Sequence, residues 1–317
     1  MTKMSLKAVD EVEILTLQDN YIEITAMDDT NVVTRATSLK DGEVRASVLA
    51  EHGFSALVKT TADGKTNTLL FDFGFSENGA AQNAATLGVD MTEVEAAALS
   101  HGHIDHTGGM KQLAAMIGKK DTPFVVHPSA FKAPRYLKFG EEFKINFPKF
   151  TREDVQQTGL SLIESAGPYP LLDDTILFLG EIPRTTDFEK GWAIVHCQSG
   201  GQEVWDAIED DTSIAMNLKN KGLVILSGCA HAGIINTIHY AVKVTGLDRV
   251  HAVMGGFHLS GPFFEPIIGR TIEELQKIKP AYILPTHCTG RKAIMEIEKQ
   301  MPDQFILNMA GTKLTFS

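Results

Sequence analysis

Three imidazoles and one carboxylate, His101, His103, Asp105 and His106, fall within six residues of one another in Leu99-Ser100-His101-Gly102-His103-Ile104-Asp105-His106-Thr107-Gly108-Gly109. An apolar run, Ala96–Ser100, leads straight into them. If the strand direction continues, His101 and His103 point the same way across Gly102, which suits two ligands on one ion. Asp105 and His106 then begin the next helix, where the chain has turned and faces a second ion from the other side. Gly108 and Gly109 let backbone pass close to such ions without a Cβ clash. Asp105 is also placed to cap the helix if it binds no metal. A solvated His-rich loop is the bland alternative, and the density of the pattern on a strand-to-helix turn argues against it. Paired divalent cations at such a site lower the pKa of a shared water and polarise a carbonyl or phosphoryl oxygen.

Other polar residues carry weaker signals. His258 follows Gly255-Gly256-Phe257 after an apolar run, which fits a proton donor or substrate contact and equally fits a structural turn. Arg184, in Gly180-Glu181-Ile182-Pro183-Arg184, suits a bidentate grip on phosphate or carboxylate, or a surface salt bridge. His52, His127, His196, His239 and His251 are isolated and read as core or surface residues. No G-x-x-x-x-G-K-[ST] and no G-x-S-x-G occurs, so neither a phosphate-binding P-loop nor a serine elbow competes. Histidine and carboxylate donors accept Zn, Mn and Fe alike.

The elements that must position these residues follow from hydrophobic pattern. Val12–Leu17, Phe54–Lys59, Thr68–Phe73 and Ala96–Ser100 read as strands, and Asn78–Leu87 and Gly108–Ile117 as helices. Later, Thr175–Gly180, Trp192–Cys197, Ser213–Leu218, Leu223–Ser227, Val250–Met254 and Tyr282–Leu284 read as strands, with helices over Gly233–Thr245 and Thr271–Ile278. Strands lead each half and helices follow, which predicts two βα halves packed sheet against sheet with helices outside. There are no repeats or linkers, so residues 1–317 read as a single domain. The stretch 132–167, rich in Pro, Lys, Phe and Glu, is expected to be an insertion or lid.

Composition narrows the partners. At 317 residues, 43% hydrophobic and 22% charged, the chain can bury a large core. A formal charge of −11 without a basic patch argues against nucleic acid and anionic membranes. No stretch approaches the roughly 20 apolar residues of a membrane span, and the N-terminal residues do not read as a secretory signal. Cys197, Cys229 and Cys288 are odd in number and far apart, which fits a reducing compartment, the cytoplasm by default.

The H-x-H-x-D-H run after a strand resembles the motif of the metallo-β-lactamase superfamily, and Leu70-Phe71-Asp72-Phe73-Gly74 resembles that superfamily's earlier Asp motif. More narrowly, Glu51–Ser55, Ser100–Gly109, Gly180–Arg184, Ser227–Gly233, Gly255–Leu259 and Pro285–Cys288 look like the branch labelled 7,8-dihydropterin-6-methyl-4-(β-D-ribofuranosyl)-aminobenzene-5′-phosphate synthase, in blocks that span most of the chain. The resemblance implies an α+β fold, an αβ/βα sandwich of two mixed β-sheets flanked by helices, with two divalent ions, Zn foremost with Mn or Fe as alternatives, at one edge of the sheets. It implies that Asp72 orients a ligand histidine and that His287 completes the second ion. Cys229 stands where a bridging aspartate is expected, as a ligand, a near neighbour of the ions or a buried structural cysteine. His231 would complete the first ion, with Asp210 or Asp211 as the rival. The implied activity is hydrolysis of a small anionic substrate, a phosphate ester foremost, with Asp105 and His258 catalytic and Arg184 and His258 binding substrate. A transferase condensing a pterin diphosphate with an aryl amine is the first alternative, and a non-catalytic ligand sensor the second.

Overall fold

Strands such as Gly222–Ser227 and Lys65–Phe71 carry consecutive apolar residues, the signature of strands covered on both faces. In the computed structural model, which describes residues 3–317, Val224 and Leu226 point into one core while Leu223 and Ile225 point into another. Leu69 and Phe71 share the first of these cores, and Leu70 lies in a third. The first core is the space between two mixed sheets.

An eight-stranded sheet runs in the order Ser161–Glu164, Pro123–Val126, Ala96–Ala98, Lys65–Phe71, Ser55–Ala62, Glu11–Gln18, Lys313–Phe316 and Val33–Thr34. Pairing is parallel from Ser161–Glu164 through Lys65–Phe71 and antiparallel beyond it. A seven-stranded sheet runs Tyr169–Leu171, Ile176–Phe178, Ser213–Leu218, Gly222–Ser227, Val250–Gly256 and Tyr282–Thr286, with Ala8–Val9 alongside Ser213–Leu218. Its last three strands are parallel. Helices Gly79–Thr86, Met110–Ile117 and Arg152–Thr158 bury their apolar faces on the outer side of the first sheet, and Ile234–Thr245, Ile268–Ile278 and Arg291–Gln300 on that of the second. The expected αβ/βα sandwich is the observed architecture. No helix among the described residues is long and apolar enough to cross a membrane.

Three expectations need correction. Val195–Ser199, read from sequence as a core strand beginning at Trp192, belongs to a separate four-stranded antiparallel sheet in the order Phe143–Asn146, Arg135–Phe139, Val195–Ser199, Gln202–Trp205. The excursion at 132–167 is therefore only half an insertion. Its first part joins 195–205 in that small sheet, whereas Arg152–Thr158 buries Val155 in the core outside the first sheet and Ser161–Glu164 forms an edge strand. The helix read as Gly108–Ile117 is observed over Met110–Ile117, preceded by a separate short turn, Ile104–Thr107.

The parallel strands set the site. Ligands in open α/β sheets gather beyond the carboxyl ends of strands. Here Asp72 follows Lys65–Phe71 and His101 follows Ala96–Ala98, while Cys229, His258 and His287 follow the three parallel strands of the other sheet.

Candidate metal centre

The first donor group forms at the end of Ala96–Ala98. His101 Nε2 stands 3.0 Å from His103 Nδ1 and 3.2 Å from His231 Nε2, and all three residues are buried. A tetrahedral ion with nitrogen ligands at about 2.0–2.1 Å needs them about 3.3 Å apart, so each of the two separations from His101 fits. Gly102 is required between the two histidines, because a Cβ there would lie 2.3 Å from the Ala130 carbonyl oxygen. The Gly102 N–H donates to Asp210 Oδ2 at 2.8 Å, and Asp210 is in turn paired with the buried Arg135. Asp211 accepts the Ala232 N–H at 2.9 Å. Both aspartates thus hold the loops that carry the histidines, and it is His231 that converges with His101 and His103.

The second group forms at the following turn. Asp105 Oδ2 lies 3.0 Å from His287 Nε2 and 3.6 Å from His106 Nε2. Asp105 makes no helix-capping hydrogen bond. The buried Asp72 accepts the Ser100 N–H and hydroxyl, each at 2.7 Å, and sits 2.6 Å from His106 Nδ1. That contact puts the His106 proton on Nδ1 and frees Nε2 toward the centre. Cys229 Sγ is 3.2 Å from His106 Nε2 and belongs to both groups, with Asp105, His106 and His287 on one side and His101 and His231 on the other. The thiol therefore occupies the junction where the family pattern has a carboxylate. Gly228 permits this approach, since its Cβ would meet Ser100 Oγ at 2.0 Å.

The electrostatics suit cation binding. Burial holds the His101 and His231 imidazoles well below their usual range and brings His103 down to about 4, so all three offer lone pairs. Burial would raise the Asp105 carboxyl, but His106 and the hydrogen bond from His287 outweigh it and hold it well below the usual range. For His106 burial works downward, and Asp72 and Asp105 together push it up to about 9. Positive charge is wanted beside those carboxylates, and a cation in place of the Nε2 proton supplies it. Burial also pushes the Cys229 thiol up, so a neighbouring cation is what would hold it as thiolate. By donor type, spacing and charge, the residues present fit divalent metal ions.

Both groups open onto one cleft of about 530 Å³, also lined by Asn20, His52, Phe75, Phe147, Trp192, His258, Ser260 and Cys288. The His258 ring lies 4.2 Å from that of His231 and 4.5 Å from Phe264, facing the cleft. His52, set aside on sequence as isolated, packs 4.4 Å from the His287 ring with Nε2 3.7 Å from Asp105 Oδ2. Phe147 covers His103 at 4.6 Å. The block Glu51-His52-Gly53 carried a signal for His52, whereas nothing in sequence marks Phe147 or Trp192. Arg184 is placed otherwise than expected: it does not line the cleft, and its Nη2 donates to the carbonyls of Ala207 at 2.6 Å and His231 at 3.3 Å. That one nitrogen ties the His231 loop to the Ala207 backbone. Of the remaining histidines, His127 accepts the Ser129 N–H, His196 stacks on Tyr136, His251 packs on Tyr282 and His239 is exposed.

The family model described as the metallo-β-lactamase superfamily matches residues 50–201. Over 99% of both chains, the protein is 29% identical to a Methanocaldococcus jannaschii protein named 7,8-dihydropterin-6-methyl-4-(β-D-ribofuranosyl)-aminobenzene-5′-phosphate synthase. An uncharacterized protein of the same organism is 32% identical, across 82% of this chain and 93% of the relative. The crystal structure of Tm1679, described as a metal-dependent hydrolase of the β-lactamase superfamily, superposes with a TM-score of 0.69 at 22% identity, covering 96% of this chain and 99% of that one, a likeness of fold.

Proposed function

The chain belongs to the metallo-β-lactamase superfamily, and we propose that it is a dinuclear metal-dependent hydrolase of a small anionic substrate, a phosphate ester foremost. The observation that carries this reading is the pair of donor groups meeting at Cys229 and opening onto one cleft. Two bound divalent ions, Zn foremost with Mn or Fe as alternatives, would supply positive charge for a phosphoryl oxygen and an activated water.

The protein's own residues do the rest. His101, His103 and His231 would hold one ion, Asp105, His106 and His287 the other, and Cys229 sits between them. Asp72 fixes the His106 ring, and Arg135 with Asp210 fixes the His101–His103 loop. The Asp105 carboxylate is ionised and can accept a hydrogen bond from an attacking water. His258 faces the cleft on the side of His231 and is placed to protonate a leaving oxygen. Among the described residues no lysine or arginine lines the cleft, so the substrate's anionic charge would be met by the ions. Phe75, Phe147 and Trp192 supply apolar walls that exclude water and stack on a flat ring.

Those aromatic walls, with the full-length similarity to a synthase, favour a second reading: condensation of a pterin diphosphate with an aryl amine. One experiment separates the two. Reconstituted protein is given a panel of phosphomonoesters, phosphodiesters, lactones and thioesters and, separately, a pterin diphosphate with an aryl amine. Chelator-sensitive ester hydrolysis supports the first reading; pyrophosphate release only when both condensation partners are present replaces it with the second.

A further inference from the structure

On the far side of Cys229 lies a group of soft donors. The sulfurs of Cys229 and Cys288 and a ring nitrogen of His258 all lie within 4.8 Å of one another. Both cysteines are buried and neither is in a disulfide, with the Cys288 thiol directed at the Cys229 carbonyl oxygen 3.5 Å away. The three residues come from three connections, after Gly222–Ser227, Val250–Gly256 and Tyr282–Thr286. Each connection holds a non-glycine residue in the left-handed region: Ala230 at φ 51°, His258 at 47° and His287 at 46°. Such backbone costs of order 1–3 kcal/mol per residue and gathers at functional sites. Packing two thiols in a core requires no strain of this kind. Space is made for the sulfur by Gly256, whose Cβ would lie 2.5 Å from Cys288 Sγ. Among the described residues His258 Nδ1 is buried without a hydrogen-bond partner.

We propose that Cys229, His258 and Cys288 form a third metal position, sharing Cys229 with the neighbouring donor groups and taking a thiophilic ion such as Cd²⁺ or Cu⁺. Two thiolates and one imidazole select soft ions, whereas the carboxylate-bearing group around Asp105 accepts harder ones. All three residues line the cleft, so a fourth coordination position faces the substrate space. Each thiol releases its proton to solvent as the ion binds. The position lies beyond the two-ion reading, since Cys288 and His258 are donors in neither of those groups.

The test uses the full chain, filled with zinc and then titrated with Cd²⁺ under reducing conditions. Elemental analysis should find one cadmium beside two zinc ions, and X-ray absorption at the cadmium edge should count two sulfur neighbours and one nitrogen. Cys288→Ser should abolish the additional cadmium while keeping both zinc ions, and should cut the ultraviolet thiolate-to-cadmium absorption to about half or less. Cadmium that only displaces zinc, or that carries fewer than two sulfur neighbours in the wild-type protein, overturns the proposal even if the variant does not fold. Fewer than two zinc ions, with cadmium still bound by two sulfurs, overturns the two-ion reading and leaves this one standing.

Discussion

Replacing Asp72 by asparagine isolates a single orienting contact. The wild-type carboxylate accepts from Ser100 N–H and Oγ at 2.7 Å and lies 2.6 Å from His106 Nδ1. Its φ is 60°, a conformation asparagine tolerates well, so the backbone does not confound the comparison. The asparagine oxygen keeps the Ser100 N–H, but its amide turns toward the Ser100 hydroxyl and His106 Nδ1. The hydroxyl can rotate to accept. The imidazole accepts at Nδ1 only by carrying its proton on Nε2, the atom 3.2 Å from Cys229 Sγ that faces the ions. Loss of such a partner weakens metal affinity about 10–100-fold, about 1.4–2.8 kcal/mol. The loss should fall on the ion held by Asp105, His106 and His287 and spare the one held by His101, His103 and His231. Competition against a chromophoric chelator resolves the two dissociation constants, and urea denaturation of the metal-free proteins checks that the variant loses no more than about 1–3 kcal/mol. Unchanged constants would refute the orienting role, and equal loss at both ions would refute the division of ligands between them.

Two further substitutions probe neighbouring parts of the account. Arg135→Met should destabilise the fold by about 3–5 kcal/mol in urea denaturation, because it strands the buried carboxylates of Asp206 and Asp210; a loss under about 1 kcal/mol would show the pair to be dispensable. Burial would raise Asp210, but Arg135 outweighs it and holds the carboxyl well below its ordinary 3.8; the stability it contributes is full above that value and is lost as pH falls below it. The wild type should therefore weaken below about pH 4, and Arg135→Met should lack that component. Cys229→Asp should raise affinity for the weaker ion by restoring a carboxylate at the junction, as read by metal retention on dialysis; unchanged metal content in Cys229→Asp and Cys229→Ala alike would remove this side chain from the site.

Much of the centre was legible because its chemistry is local. His101, His103, Asp105 and His106 fall on one strand-to-helix turn, and their types and spacing survive folding unchanged. Asp72, Cys229, His231 and His287 were legible through resemblance, since each follows a strand whose apolar run shows in sequence. The choice between His231 and Asp210 or Asp211 was not, because it depends on Arg135, a residue of the small sheet that claims Asp210 by pairing across the fold. Arg184 misled for a similar reason: its partners are backbone carbonyls, which no sequence pattern marks. His52 and Trp192 reach the cleft only by tertiary packing. The edge strand Ser161–Glu164 has no buried side chain, so periodicity gave it no voice, and the small sheet hid because its strands come from two separated stretches.

The central claim is that this chain holds two metal ions between histidines of its two sheets. Elemental analysis tests it most directly, on the wild-type protein and on His103→Ala after reconstitution with Zn, Mn and Fe in turn and removal of free metal. The account predicts two ions per chain for the wild type with at least one of these metals, and loss of the ion shared by His101, His103 and His231 in the variant with its fold kept. A wild-type protein that remains metal-free after all three, or a variant that keeps both ions, would contradict it.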